Sequence, residues 1–147
     1  PGAASLSLPQ EKLVVTGDLL VNPISFALSC YPSGWLRTLE SIDALDASLI
    51  VPGHGEPLRD KELLRATMEL FRQLLRQGGE AYARGLPVDQ AKAEKLPGLA
   101  ELKARITRGD PSQSQAFDVQ LVDWYLHRVW DELAGRLSDE IAPIPRS

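Results

Sequence analysis

Two short apolar runs, each halted by a glycine-bearing turn that carries a metal-capable side chain, constrain this chain more than any other feature. The first is Leu13-Val14-Val15-Thr16, a continuous β-favouring segment of the kind expected for a buried strand, and it stops at Gly17-Asp18. The second is Leu49-Ile50-Val51, which ends abruptly at Pro52-Gly53-His54-Gly55. Between them Trp35, Leu36, Leu39, Ile42 and Leu45 recur at three- and four-residue steps, which is one apolar face of a helix. Ahead of the first run, residues 5–8 alternate polar and apolar as a half-buried strand does, and Pro9-Gln10-Glu11 forms a turn, so this stretch reads as a hairpin feeding a sheet. Residues 19–33 have no clear period and read as a long loop. The order strand, strand, helix, strand signals an α/β fold.

The two turns are where chemistry is expected. Open α/β sheets place their sites at strand ends, because loops there are free while the strands hold them rigid. Gly17, Gly53 and Gly55 remove bulk and permit unusual backbone angles beside Asp18 and His54. A carboxylate and a neutral imidazole are both good zinc donors, and a carboxylate can bridge two metals. Taken singly, an Asp after Gly is more often a turn or capping residue, and a His in a Pro-Gly-His-Gly turn is often just part of the turn. It is the pair, at matching strand ends, that makes Asp18 and His54 candidate metal ligands.

From residue 60 onward the pattern is helical. Asp60 reads as an N-cap with Glu62 in the first turn. Leu64, Met68, Phe71, Leu74 and Leu75 form an apolar face, with Gly78-Gly79 weakening or ending the helix, which otherwise runs to Arg84. A second helical stretch covers residues 88–108, interrupted at Pro97-Gly98. A third opens at Asp110-Pro111-Ser112, with Val122, Leu126, Val129, Trp130, Leu133 and Leu137 as its stripe. Residues 141–147 read as an extended strap.

Residues 13–20, then 35–45, then Leu49-Ile-Val-Pro-Gly-His-Gly-Glu-Pro, resemble the second half of a metallo-β-lactamase-fold domain. That family's late motifs are an Asp after a strand in a T/S-G-D context and a His in a P-G-H-G turn; both occur here in that order with a helix between. The resemblance covers about residues 1–58, and residues 59–147 resemble the helical C-terminal additions of some members. It implies the C-terminal half of an αββα sandwich, with Asp18 as the carboxylate bridging two zinc ions and His54 as a ligand of the second. It also implies a metal-activated water attacking an ester, thioester, lactone or β-lactam carbonyl of a small-molecule substrate.

The family's principal motif, H-x-H-x-D-H, does not occur in this sequence. A further ligand His usually stands just before a Thr-Pro-Gly, and Pro1-Gly2-Ala3 matches the residues after it, so the chain is expected to be a fragment beginning beyond the third motif. Two protein donors fall short of the three or four that zinc sites take. The isolated fragment is therefore expected to bind zinc weakly and to be inactive. Half a sandwich also exposes a sheet face, so the expected partner is the missing half of the domain or a second copy of the chain.

The remaining features narrow the field. A net charge of −4, with basic residues scattered among acids, does not favour nucleic-acid binding. No apolar run approaches the length of a membrane span. The single cysteine, Cys30, cannot form an internal disulfide and reads as an inert small hydrophobe, which leaves the compartment, cytoplasmic or periplasmic, open. His127 stands four residues from both Asp123 and Asp131 and reads as a charged pair rather than a metal site. Trp124, Tyr125 and Trp130 read as packing anchors, and Ser25, Ser29 and Cys30 as loop residues without a partner His. An alternative of a different class is a non-catalytic helical interaction module with a remnant sheet, its stripes at residues 64–75 and 122–137 serving dimerisation. A diiron redox protein of the same fold would commonly append a flavin-binding domain, whose Gly-rich phosphate loop is not seen.

Overall fold

The computed structural model describes residues 5–94 and 96–137. Strands β2 (Leu13–Gly17) and β3 (Leu49–Pro52) pair in parallel, and the crossover this requires is supplied by helix α1 (Pro32–Asp43). Strand β1 (Leu6–Leu8) adds antiparallel to β2, giving a three-stranded sheet in the order β1-β2-β3. Helices α2 (Glu62–Ala83), α3 (Val88–Ala93) and α4 (Leu99–Thr107) follow, then a π-helical segment, Ala116–Asp123, that runs into α5 (Trp124–Leu133). The fold is thus mixed α/β, mostly helical, with one small sheet. Pro1-Gly2-Ala3 and the strap at residues 141–147 lie outside the described residues.

The two faces of the sheet have different fates. Val14, Thr16, Ile50 and Pro52 are buried, and Val14 and Ile50 join one hydrophobic cluster with Leu39 and Ile42 of α1 and Leu64 of α2. The opposite face carries Leu6, Leu8, Leu13, Val15, Leu49 and Val51, which the strand register places side by side. Among the described residues no helix buries these six: Leu6 is 58% exposed and Leu8 39%, and the other four are half-buried.

The same hydrophobic cluster runs on through the helices. Phe71 of α2 and Tyr125 of α5 are fully buried, stacked at 4.1 Å, and Trp35 of α1 packs against Phe71 at 4.6 Å. Helix α1 depends on its neighbours for both ends. Pro32 opens it without a side-chain cap, and Glu132 of α5 instead accepts from the Ser33 amide (3.1 Å) and hydroxyl (2.6 Å). At its far end the Lys61 ammonium donates to the carbonyls of Asp43 and Leu45, where a cation is favoured.

The helical segments depart from their sequence pattern in three places. Helix α2 runs unbroken through Gly78 and Gly79, because a Cβ at Gly78 would stand 2.8 Å from Val129 Cγ1: glycine lets α2 and α5 approach, and that packing outweighs its helix cost. The first residue before α2 is Lys61, not Asp60, although the Asp60 carboxylate does accept from the Glu62 amide at 2.9 Å. The last stripe holds only in part: Leu126, Val129 and Trp130 are buried, but Leu133 is 46% exposed, and Phe117 and Leu121 are buried ahead of it. Leu64, Met68, Phe71, Leu74, Leu126 and Val129 are buried within the chain, so the apolar stripes offered above for dimerisation are occupied by internal packing.

Candidate metal centre

Parallel pairing, with a bulge in β2 between Val15 and Gly17, explains why Asp18 and His54 meet. Gly17 lies opposite Pro52, and both strands leave the sheet at the same rim. The turns that follow are laced by backbone hydrogen bonds. The Gly53 amide donates to the carbonyls of Gly17 (2.8 Å) and Leu20 (3.0 Å), and the Asn22 amide donates to the His54 carbonyl (3.1 Å). The Asn22 side-chain amide donates to the Glu56 carbonyl (2.9 Å). Beyond the histidine turn, Ile50 and Leu58 exchange two hydrogen bonds of 2.8 Å, pinning its far end to β3.

The result is a distance of 3.4 Å between His54 Nε2 and Asp18 Oδ1. Both side chains are about three-quarters exposed, 75% for His54 and 78% for Asp18. An ion pair so exposed contributes little to stability, so mutual attraction does not hold the two groups there; the backbone of the turns does. Two glycines make that backbone route passable. A Cβ on Gly53 would fall 2.2 Å from Asp18 Oδ1 and 2.7 Å from the Gly17 carbonyl carbon. Gly55 has φ +83° and a Cβ there would fall 2.1 Å from the Asn22 carbonyl oxygen.

The donor set is one carboxylate oxygen and one imidazole nitrogen, chemically suited to zinc. Among the described residues no third His, Cys, Asp or Glu joins them to form a group of three. These two donors are chemically compatible with zinc but fall short of the three or four protein ligands that a zinc site takes. His127 is not brought to this rim group. It lies 3.9 Å from Asp123, while Asp131 pairs with Arg136 at 3.3 Å.

The loop residues play structural parts. Ser25 is buried, its hydroxyl accepting from the Val21 amide at 3.0 Å. Burial pushes the Cys30 thiol up to about 12, against a partial pull downward from Arg128, so it carries no thiolate at neutral pH and is no nucleophile there. Tyr125 and Trp130 are buried and Trp124 partly so, with the Phe26 ring 5.5 Å from Trp124. A cavity of about 150 Å³ in the helical part is lined by Gln77, Lys92, Glu94 and Asp123 among others, and neither Asp18 nor His54 borders it.

Two contributors to the rim escaped the sequence pattern. Asn22 binds the histidine turn through both its amides. Trp35, read from its spacing only as part of an apolar stripe, also donates its indole N–H to the Leu19 carbonyl at 2.9 Å. The Asn-Pro dipeptide at residues 22–23 is a turn signal that could have drawn attention to the first; nothing in the spacing marks the second.

The chain matches no protein-family model, and no curated protein sequence matches it. Among the described residues no helix is long and apolar enough to cross a membrane.

Proposed function

We propose that this chain is the C-terminal portion of a zinc-dependent hydrolase of the metallo-β-lactamase superfamily, half of an αββα sandwich followed by a helical extension. The observation that carries the reading is the approach of Asp18 Oδ1 and His54 Nε2 to 3.4 Å at the ends of two parallel strands, exposed and held by backbone rather than by each other. Zinc bound there would lower the pKa of its water toward ~7 and polarise a substrate carbonyl. The chain's own residues present the ligands. Asp18 and His54 offer one oxygen and one nitrogen, Gly53 leaves room for the Asp18 carboxylate, and Asn22 ties down the turn that carries His54. The remaining donors come from a polypeptide bearing the H-x-H-x-D-H motif.

The open sheet face supports the same reading. Six aliphatic side chains side by side form a contiguous apolar surface, which soluble proteins rarely leave uncovered. A second sheet laid on it at the ~10 Å spacing of packed sheets would complete a sandwich. The partner half is favoured over a second copy of this chain, because it would supply the missing donors as well as cover the face. Substrates in reach are esters, thioesters, lactones and β-lactams.

The test is to produce this chain joined to the polypeptide encoded ahead of it and assay a panel of thioesters and lactones with zinc. Hydrolysis is expected, with Asp18→Asn and His54→Gln each lowering kcat/KM by roughly 100-fold or more, beyond the usual effect of residues that merely orient a ligand. The 147-residue chain alone should show none. Absence of an H-x-H-x-D-H motif in that polypeptide, or turnover indifferent to both substitutions, would overturn the proposal.

A further inference from the structure

We infer that Trp35 is a positioning residue, whose indole N–H fixes the turn presenting Asp18 and through whose ring the helical extension reaches the site. The inference rests on the reading of Asp18 and His54 as metal donors. Leu19 directly follows Asp18, and its carbonyl accepts the buried Trp35 Nε1–H at 2.9 Å. The neighbouring carbonyls, Gly17 and Leu20, accept the Gly53 amide. The Asp18 turn is therefore gripped from two sides, by the histidine turn on one and by the indole on the other.

An indole has a single N–H, lying in the ring plane, so whatever orients the ring aims the donor. Here the extension does so. Phe71 of α2 lies 4.6 Å from the Trp35 ring and Tyr125 of α5 lies 6.2 Å from it, both tilted. Phe71 and Tyr125 stack on each other, and the Tyr125 hydroxyl donates to the Pro32 carbonyl at 3.0 Å, holding the start of the helix that carries Trp35. None of these groups touches Asp18 or His54. They bear on the Asp18 turn by orienting the Trp35 ring, which makes the extension part of the site rather than an appended module.

Amide hydrogen exchange on the 147-residue chain, paired with zinc affinity from an NMR titration of the His54 ring signals, tests this. Trp35→Phe keeps an aromatic ring and removes the donor. It is expected to speed exchange of the Leu20 and Gly53 amides about tenfold relative to central α2 amides and to weaken zinc binding about tenfold, the equilibrium equivalent of one buried hydrogen bond. Leu39→Ala, a buried change in the same helix, should lower Tm but leave the ratio of rim to α2 exchange as in the wild type. The inference is overturned if the two rim amides exchange no faster relative to α2 in Trp35→Phe, or if Leu39→Ala loosens them equally. Should Trp35→Phe not fold, Tyr125→Phe carries the test: about threefold faster exchange at the same amides is expected, and parity with the wild type overturns it. A wild-type chain with no zinc response would remove the functional reading, while the exchange comparison would still decide the role of Trp35.

Discussion

Phe71→Ala is expected to cost about 3–5 kcal/mol, the range for emptying a fully buried aromatic site. In a chain of this size that lowers Tm by roughly 10 °C or more. Phe71 is completely buried, stacked on Tyr125 at 4.1 Å and packed against Trp35 at 4.6 Å. It belongs to the helical extension, whereas Trp35 belongs to the helix linking β2 to β3. The loss should therefore be felt on both sides. One cooperative transition is expected by circular dichroism, and native-state exchange should show β2 and β3 amides losing protection together with those of α2. Two separable transitions, or strand amides indifferent to the change, would mean that the extension folds independently of the sheet.

Gly53→Ala is expected to cost about 2–3 kcal/mol and to move Asp18 away from His54. The new Cβ would stand 2.2 Å from Asp18 Oδ1, 2.7 Å from the Gly17 carbonyl carbon and 2.8 Å from the Asp18 amide nitrogen. Swinging the carboxylate aside relieves only the first of these contacts. The other two are backbone, so the Gly17–Asp18 turn or the histidine turn must shift, straining the bonds from the Gly53 amide to the Gly17 and Leu20 carbonyls. Gly79→Ala is the matched control. It adds the same methyl within α2 where no atom lies within 4 Å, and is expected to be neutral or stabilising by up to about 1 kcal/mol. Urea denaturation of the two variants checks the energies. A Gly53→Ala chain as stable as the wild type would show that the two turns are not as tightly apposed as described.

What the sequence made legible is what local chemistry dictates. The β-favouring runs at residues 13–16 and 49–51, and the glycine turns that stop them, carry their own signals. Parallel pairing then brings Asp18 and His54 to one rim, which is why a pattern of residues 36 positions apart in sequence could be read as one site. Less legible was whatever depends on a distant partner. Gly78 reads as a helix breaker until Val129 is seen against it. In the last helical stretch the α-helical period finds the buried Leu126, Val129 and Trp130 but also selects the exposed Leu133, and it passes over Phe117 and Leu121, which lie in the π-helical segment. Glu132 completes the start of α1 from 99 residues away. Trp35 has two roles, and spacing reveals only its apolar one. The open face of the sheet sits between these cases: the alternation along β1 marks a strand, though its three residues are exposed rather than half-buried, and only the register shows that six aliphatic residues share one side.

The central claim is that Asp18 and His54 are joint donors to one metal ion. It is tested most directly by titrating zinc into the isotopically labelled chain and following the His54 ring and the Asp18 amide by NMR. The account predicts weak binding of a single ion, with both sets of signals moving along one saturable curve, and loss of that response in Asp18→Asn and in His54→Gln alike. A His54 response that survives intact in Asp18→Asn, or signals from both residues that stay unmoved at millimolar zinc, would contradict it.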